Sequence, residues 1–453
     1  MTVPADTDSP PVVRLRRLDL AAVAAGDREA MAHRHALVRR GAVPDGRVRE
    51  AARATLDDVR ARGDAAVRDA NARVGGGRPD GRLVLERRDL IAARDALEPR
   101  IRRAIDQAIA NVTRFAATQR PASQTTDIAA GIQIERRWEP LASVGCYVPG
   151  GSAPYPSSLV MTVVPARVAG VERIVVASPA TADGATNAVL LGVAGLLDVD
   201  AFVVAGGAQA IGALAFGLPE SGLEPVDRIV GPGNAWVTAA KIEVCGEVGI
   251  DLPAGPSEGL VLAAPPADPR RVATDLITQA EHGPDSPALL VTTDAAFADA
   301  VEAHVQDLLG QAERRDILAS SLGEHGRIVL APTQDAAIAF VNDYGPEHLS
   351  VDVEPLEATV AAIRNAGSVF VGPWAPESAG DYATGANHVL PTGGLARSSG
   401  GLAVESYGKF LQVQRISREG LAGIADTVTA LAEAEGLLAH RDAVLERFRD
   451  ERP

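Results

Sequence analysis

Gln279 and His282, in the stretch ITQAEHGPD, stand three positions apart. On a helix that spacing sends both side chains to one face and toward one target. A pair of metal ligands uses such geometry. A plainer reading competes: a helix through ATDLITQAEH would end near His282, with Gly283 taking the left-handed conformation and Pro284 blocking continuation. A histidine in a last helical turn also suits the negative end of the helix dipole. Both readings stay open on these residues alone.

A second pair, Glu347 and His348, follows Gly345-Pro346. Neighbours in a loop point in different directions, so the pair suits two separate proton transfers better than one dyad, with a polar surface turn as the alternative. Of the eight histidines, His33, His35, His304 and His325 lie in charged, helical or polar surroundings and read as surface residues. His388 in ANHVLP and His440 in GLLAHRD have sharper contexts, like His282 and His348. Zinc requires about four N, O or S donors, and a chain with only Cys146 and Cys245 must draw them from His, Asp, Glu or an amide oxygen. Asp381 in SAGDYATGANH is a loop carboxylate of the right type, although spacing alone does not select it from 59 acidic residues and no HExxH is present.

The elements that must position these groups read as α/β. Apolar residues make up 46% and charged residues 23%, with few aromatics, which favours helices layered on sheets. Beyond Leu141 the short runs SVGCYV, RIVVASP, AFVVAGG and DRIVGPG are each followed by glycine and an Ala-rich helical segment, and GLVLAA, ALLVTTD, RIVLAP and SVFVGP continue the alternation. Two successive α/β units follow, each a mostly parallel sheet with helices on both faces. Upstream, Val48 to Val74 and Asp89 to Gln119 carry helical periodicity around the turn-like VGGGRPDG. The first twelve residues have a mobile composition, the segment to about residue 45 reads as a charged arm, and the chain from about Ala403 reads as a helical tail suited to lying against another subunit.

Ligands of open α/β sheets sit at the carboxyl ends of strands, where VPGGSAPYPSS, VVAGGAQAIG and IVGPGNAW concentrate glycine. Neither a G-x-G-x-x-G after a strand nor a P-loop is present, so these glycines are open to both a phosphate-binding and a tight-turn reading. Gln209 and Asn234 open helices after such glycines and could address a nucleotide, with helix capping the competitor for Asn234. A net charge of -15 argues against nucleic acid and anionic membranes as partners. Two cysteines, no signal-like N-terminus and no apolar run near the ~20 residues of a membrane helix lead to a cytoplasmic expectation.

Taken in order, ASVGCYVPGGSAPYPSS, GGAQAIGALAFG, VDRIVGPGNAWVTAAK, AGPSEGLV, LITQAEHGPDS, NDYGPEHLS, AGSVFVGPWAPESAGDYATGANHVLPT and EGLLAH make the chain, from about residue 45 onward, resemble the histidinol dehydrogenases. These enzymes of histidine biosynthesis oxidise an amino alcohol to the amino acid in two NAD-dependent steps. The resemblance implies one zinc per subunit bound by Gln279, His282, Asp381 and His440, with His440 completing the partner's site in a homodimer. It implies proton acceptors at Glu347 and His348, L-histidinol contacts at Ser257, His348, Glu435 and the zinc ligands, and NAD contacts at Tyr147, Gln209 and Asn234.

The fold implied is two incomplete Rossmann-like domains with terminal extensions that interlock the dimer. The boundaries expected are an arm at 1–45, a zinc-bearing and catalytic domain from 46–145 plus 256–402, an NAD domain at 146–255 and a tail at 403–453. Three alternatives remain at this stage. Cys146 could capture the aldehyde as a thiohemiacetal, against which stand its apolar company and the lack of a partner to lower its pKa. The chain could be a paralogue acting on another amino or sulfonated alcohol, or a binding homologue without catalysis, although a dead homologue would have lost some motif residues. Nitrogen and oxygen ligands serve manganese as well as zinc.

Overall fold

The computed structural model describes residues 13–150 and 155–451. The start expected to be mobile, and residues 151–154 of VPGGSAPYPSS, lie outside the described residues. Two six-stranded sheets form the body. The first is parallel throughout, in the spatial order Arg16–Asp19, Arg327–Leu330, Ala288–Thr292, Gly259–Ala263, His348–Asp352 and Ser368–Val371. Within its strand Gly259–Ala263, Val261 and Ala263 join one apolar cluster while Leu260 and Leu262 join another on the opposite face. Such two-sided burial is what a continuous apolar run in a parallel sheet provides.

The second sheet runs Val84–Glu86, Ala201–Val204, Arg173–Ser178, Ser143–Tyr147, Arg228–Val230 and Gly249–Ile250, parallel except for its first, antiparallel edge strand. It too is covered on both faces. The α/β class with two mainly parallel sheets is therefore as expected.

Three segments fall elsewhere than expected. The arm supplies Arg16–Asp19 as the edge strand of the first sheet, and Val13, Leu15 and Leu18 enter its core. Residues 46–145, expected with 256–402, pack instead on the second sheet. Helices Gly46–Arg62 and Asp64–Val74 cover the face carrying Gly207–Phe216, Val84–Glu86 forms that sheet's edge, and Pro99–Ala116 lies on Pro156–Ala169. Helical periodicity specifies an apolar face but not the sheet that face will meet. The tail is not helical throughout: after the short helical turn Val404–Tyr407 comes the nine-residue strand Gly408–Ile416, paired antiparallel with Ile132–Pro140 in a small third sheet with Gln124–Ala129. Its alternating FLQVQ pattern is half exposed, and a weakly buried strand leaves little periodic signal.

The two large sheets present opposite edges to their clefts. In the first, Gly259 is in register with both Ala288 and His348 at the amino ends of their strands. Helix Pro269–Ala280 returns to that edge with its carboxyl end foremost, a direction that favours cations. In the second, helices Gly207–Phe216 and Ala235–Val244 begin where the strands end, so backbone N–H groups face outward, a direction that favours anions. Among the described residues no helix is long and apolar enough to cross a membrane.

Candidate active site

Helix Pro269–Ala280 starts at an Asp268 side chain that accepts from Arg270 N, with Pro269 in its first turn, and is capped by Glu281. His282 lies just past the end, and Gly283 is not in the left-handed region, contrary to expectation. Gln279 in the last turn is buried over a glycine: a Cβ on Gly259 would lie 2.5 Å from Gln279 Oε1, so a side chain there would push the Gln279 amide out of its place.

Around Gln279 the polar groups converge. Its Nε2 donates to Ser257 Oγ at 3.3 Å, and its Oε1 lies 3.3 Å from His348 Nδ1. Ser257 Oγ donates to Glu347 Oε2 at 2.8 Å, which also accepts from Glu258 N at 2.9 Å. Glu347 and His348 thus do face different partners, but Ser257 and Gln279 link them into one chain of hydrogen bonds. Burial pushes the Glu347 carboxyl up from its ordinary range, against the pull of His348.

Glu377, which the sequence did not single out, stands at the centre. Its Oε1 is 3.1 Å from His282 Nε2 and 3.3 Å from His348 Nδ1. Helix Glu377–Tyr382 also carries Asp381, whose Oδ1 is 4.0 Å from His348 Nε2. His282, Glu377 and Asp381 place one donor atom each within 4.8 Å of one another. Burial works against protonating His282, but Glu377, Asp381 and Glu347 together outweigh it and lift the ring to about 9. The histidines in turn hold Glu377 low despite its burial. Neither Glu377 nor Asp381 has a lysine or arginine partner among the described residues. Buried carboxylates without a fixed cation, next to imidazole nitrogen, are a donor set that suits a divalent metal such as zinc or manganese.

His348 Nδ1 faces two oxygen acceptors, Gln279 Oε1 and Glu377 Oε1, so in the neutral ring Nδ1 carries the proton. That leaves the lone pair on Nε2, a buried atom with no hydrogen-bond partner. His388 is also near, bonded through Nδ1 to the Asp381 carbonyl at 2.9 Å and through Nε2 to Ser158 Oγ at 3.1 Å. Burial drives it down to about 4, so it is neutral and spans the two sheets as a structural tie.

Tyr147, Gln209 and Asn234 meet at a different place, a cleft of about 1010 Å³ at the carboxyl edge of the second sheet, lined also by Gly75, Gly76 and Trp236. Gln209 Nε2 donates to Asn71 Oδ1 at 3.2 Å, and Tyr147 OH accepts from Gly207 N at 3.4 Å. Asn234 caps its helix, accepting from Trp236 N and Val237 N. The VGGGRPDG stretch therefore does more than turn the chain, since its glycines form one wall of this cleft.

Glu435 and His440 are not brought to the cluster within this chain. Both are exposed on the C-terminal hairpin of Arg418–Ala434 and Leu438–Leu445, and neither bonds Gln279, His282, Glu377 or Asp381. Cys146 is fully buried in the second sheet, and burial pushes its thiol up to about 12, which removes it as a nucleophile near neutral pH.

The same chain matches, over residues 38–448, the family model described as histidinol dehydrogenase. A histidinol dehydrogenase of Leifsonia xyli is 48% identical over 398 residues, covering 87% of this chain and 91% of that one. One of Methanothermobacter thermautotrophicus is 43% identical over 392 residues, covering 86% and 91%. The crystal structure of histidinol dehydrogenase from Elizabethkingia anophelis superposes with a TM-score of 0.87 at 33% identity, covering 97% of this chain and 99% of that one. With the family model matching residues 38–448 of the chain and relatives of this identity, the chain belongs to the histidinol dehydrogenase family.

Proposed function

We propose that His348 and Glu347 divide between them the proton transfers of a two-step oxidation of L-histidinol to L-histidine. Family membership makes the chain an oxidoreductase of histidine biosynthesis. The observation that carries the division is the His348 ring, with Nδ1 held by two acceptors and Nε2 buried, unpartnered and 4.0 Å from Asp381.

Zinc held by Gln279, His282, Asp381 and the partner subunit's His440 would supply a fixed charge that orients the substrate's nitrogens, and NAD in the second sheet's cleft would supply the hydride acceptor. His348 Nε2 takes the alcohol proton as hydride leaves the carbon, giving the aldehyde. Glu347 then takes a proton from water as its oxygen adds to the aldehyde carbon, while the proton held on His348 Nε2 passes to the aldehyde oxygen, giving the hydrate and a neutral His348; burial, by raising the Glu347 carboxyl, brings it nearer the range of an effective base. His348 removes the hydrate's hydroxyl proton as the second hydride leaves. Ser257 keeps Glu347 aimed and Gln279 keeps His348 in the required tautomer. Glu377 holds His282 and His348 against one carboxylate oxygen.

The carboxyl edge of the second sheet, with two helix N-termini and a glycine wall, supports a dinucleotide. A homodimer is supported by the C-terminal hairpin, which leaves Leu431, Leu437 and Leu438 exposed beside Glu435 and His440. In that assembly the hairpin carries both polar residues to the neighbouring cluster, where Glu435 contacts substrate. His348→Asn tests the division: turnover of L-histidinol should fall about 100- to 10,000-fold. Full turnover would overturn it.

A further inference from the structure

We infer that Arg40 is a positioning residue for Glu347, clamping from the N-terminal segment the two loops that present Ser257 and Glu347. Nothing in the arm's sequence marks it. In the structure its Nε and Nη2 bond the two carboxylate oxygens of Glu258 at 2.6 and 2.5 Å, while Nη1 donates to the carbonyls of Tyr344 at 2.9 Å and Leu37 at 3.1 Å. The guanidinium lies 3.3 Å from the centre of the Tyr344 ring. One planar cation thus grips both loops, a set of contacts an ammonium cannot reproduce.

The gripped residues lie next to the reacting ones. Glu258 N donates to Glu347 Oε2, and the Glu258 carbonyl accepts from His348 N at 3.2 Å. Tyr344 leads into Gly345, which takes a left-handed φ of 59° to turn the chain toward Glu347. Glu258 is 2% exposed, so its charge depends on Arg40 for compensation, and an uncompensated carboxylate there would repel Glu347. Arg40 therefore fixes where the Glu347 oxygens point, and does so without touching substrate.

A purely structural ion pair would lower both oxidations alike. A residue that aims Glu347 lowers the second selectively, because on the proposed division, on which this inference rests, Glu347 acts only after the aldehyde forms. The test compares Arg40→Lys, the charge-free pair Arg40→Met with Glu258→Gln, and Glu347→Gln, all as full-length enzyme. Each is assayed with L-histidinol in the presence of hydroxylamine, which captures free aldehyde, and with histidinaldehyde supplied directly.

The expected result is that both Arg40 variants lose about 10- to 100-fold in kcat for the aldehyde. Its KM should be unchanged, first-step rates near wild type, and captured aldehyde raised, as in Glu347→Gln. The charge-free pair leaves no buried lone charge, so it carries the test if Arg40→Lys does not fold. Equal losses in both steps, or none, while Glu347→Gln shows the aldehyde defect, would overturn the role of Arg40. Absence of that defect in Glu347→Gln would overturn the proposed division instead.

Discussion

The Glu377 carboxylate lies 3.1 Å from His282 Nε2, joining the short helix after the last strand of the first sheet to the end of a helix 95 residues earlier. The same oxygen reaches His348, so one buried carboxylate holds both the proposed metal ligand and the proposed base. Glu377→Gln keeps the shape and removes the charge. Zinc affinity should fall about 10- to 100-fold, read by competition with a coloured chelator, while the unfolding temperature stays close to wild type. Unchanged affinity would remove Glu377 from the metal site.

Cys146 supplies a second check. Burial raises its thiol from 9.0 to about 12, so the folded chain holds this proton where the unfolded chain has lost it. The associated stability is fully present below pH 9 and is lost as pH rises toward 12. Cys146→Ala should reduce the alkaline sensitivity of unfolding across that window and leave histidinol turnover intact. In native wild type, iodoacetamide at pH 8 should label exposed Cys245 and spare Cys146. An inactive but folded Cys146→Ala would restore the thiol reading.

The site residues were legible mainly through the family resemblance, because a turn or helix-end position also offers each of them a plain structural role. Gln279, His282, Glu347, His348 and Asp381 do gather, and the three-residue offset of the first pair is realised at a helix terminus. Glu377 was missed although ESAGD places it four residues before Asp381, a same-face helical spacing, because the short helix there carries no amphipathic signal of its own. Two features were not legible at all. Strand patterns do not say which edge of a sheet will be used, and the cluster around Gln279 and His348 sits at the amino edge rather than the carboxyl edge. Nor does a charged arm announce that Arg40 will be half-buried against Glu258.

Asn234 has one observed role, as a helix cap, and one proposed, as an NAD contact, and substitution can separate them. Its side chain caps a helix at the rim of the second cleft. Asn234→Asp preserves the acceptor, so stability should hold, while a new negative charge in the cleft proposed for the anionic dinucleotide should raise KM for NAD. Asn234→Ala should lose about 1 kcal/mol of stability as well. If Asn234→Asp binds NAD as well as wild type does, this residue is a cap and nothing more.

The proposed two-step, zinc-dependent oxidation stands or falls on the number of NADH formed per L-histidinol consumed, measured before chelation, after it and after zinc is returned. Two NADH per histidinol are expected, none once the metal is stripped, and two again on restoring zinc. One NADH per histidinol, or full turnover in the stripped enzyme, would contradict the proposed oxidation.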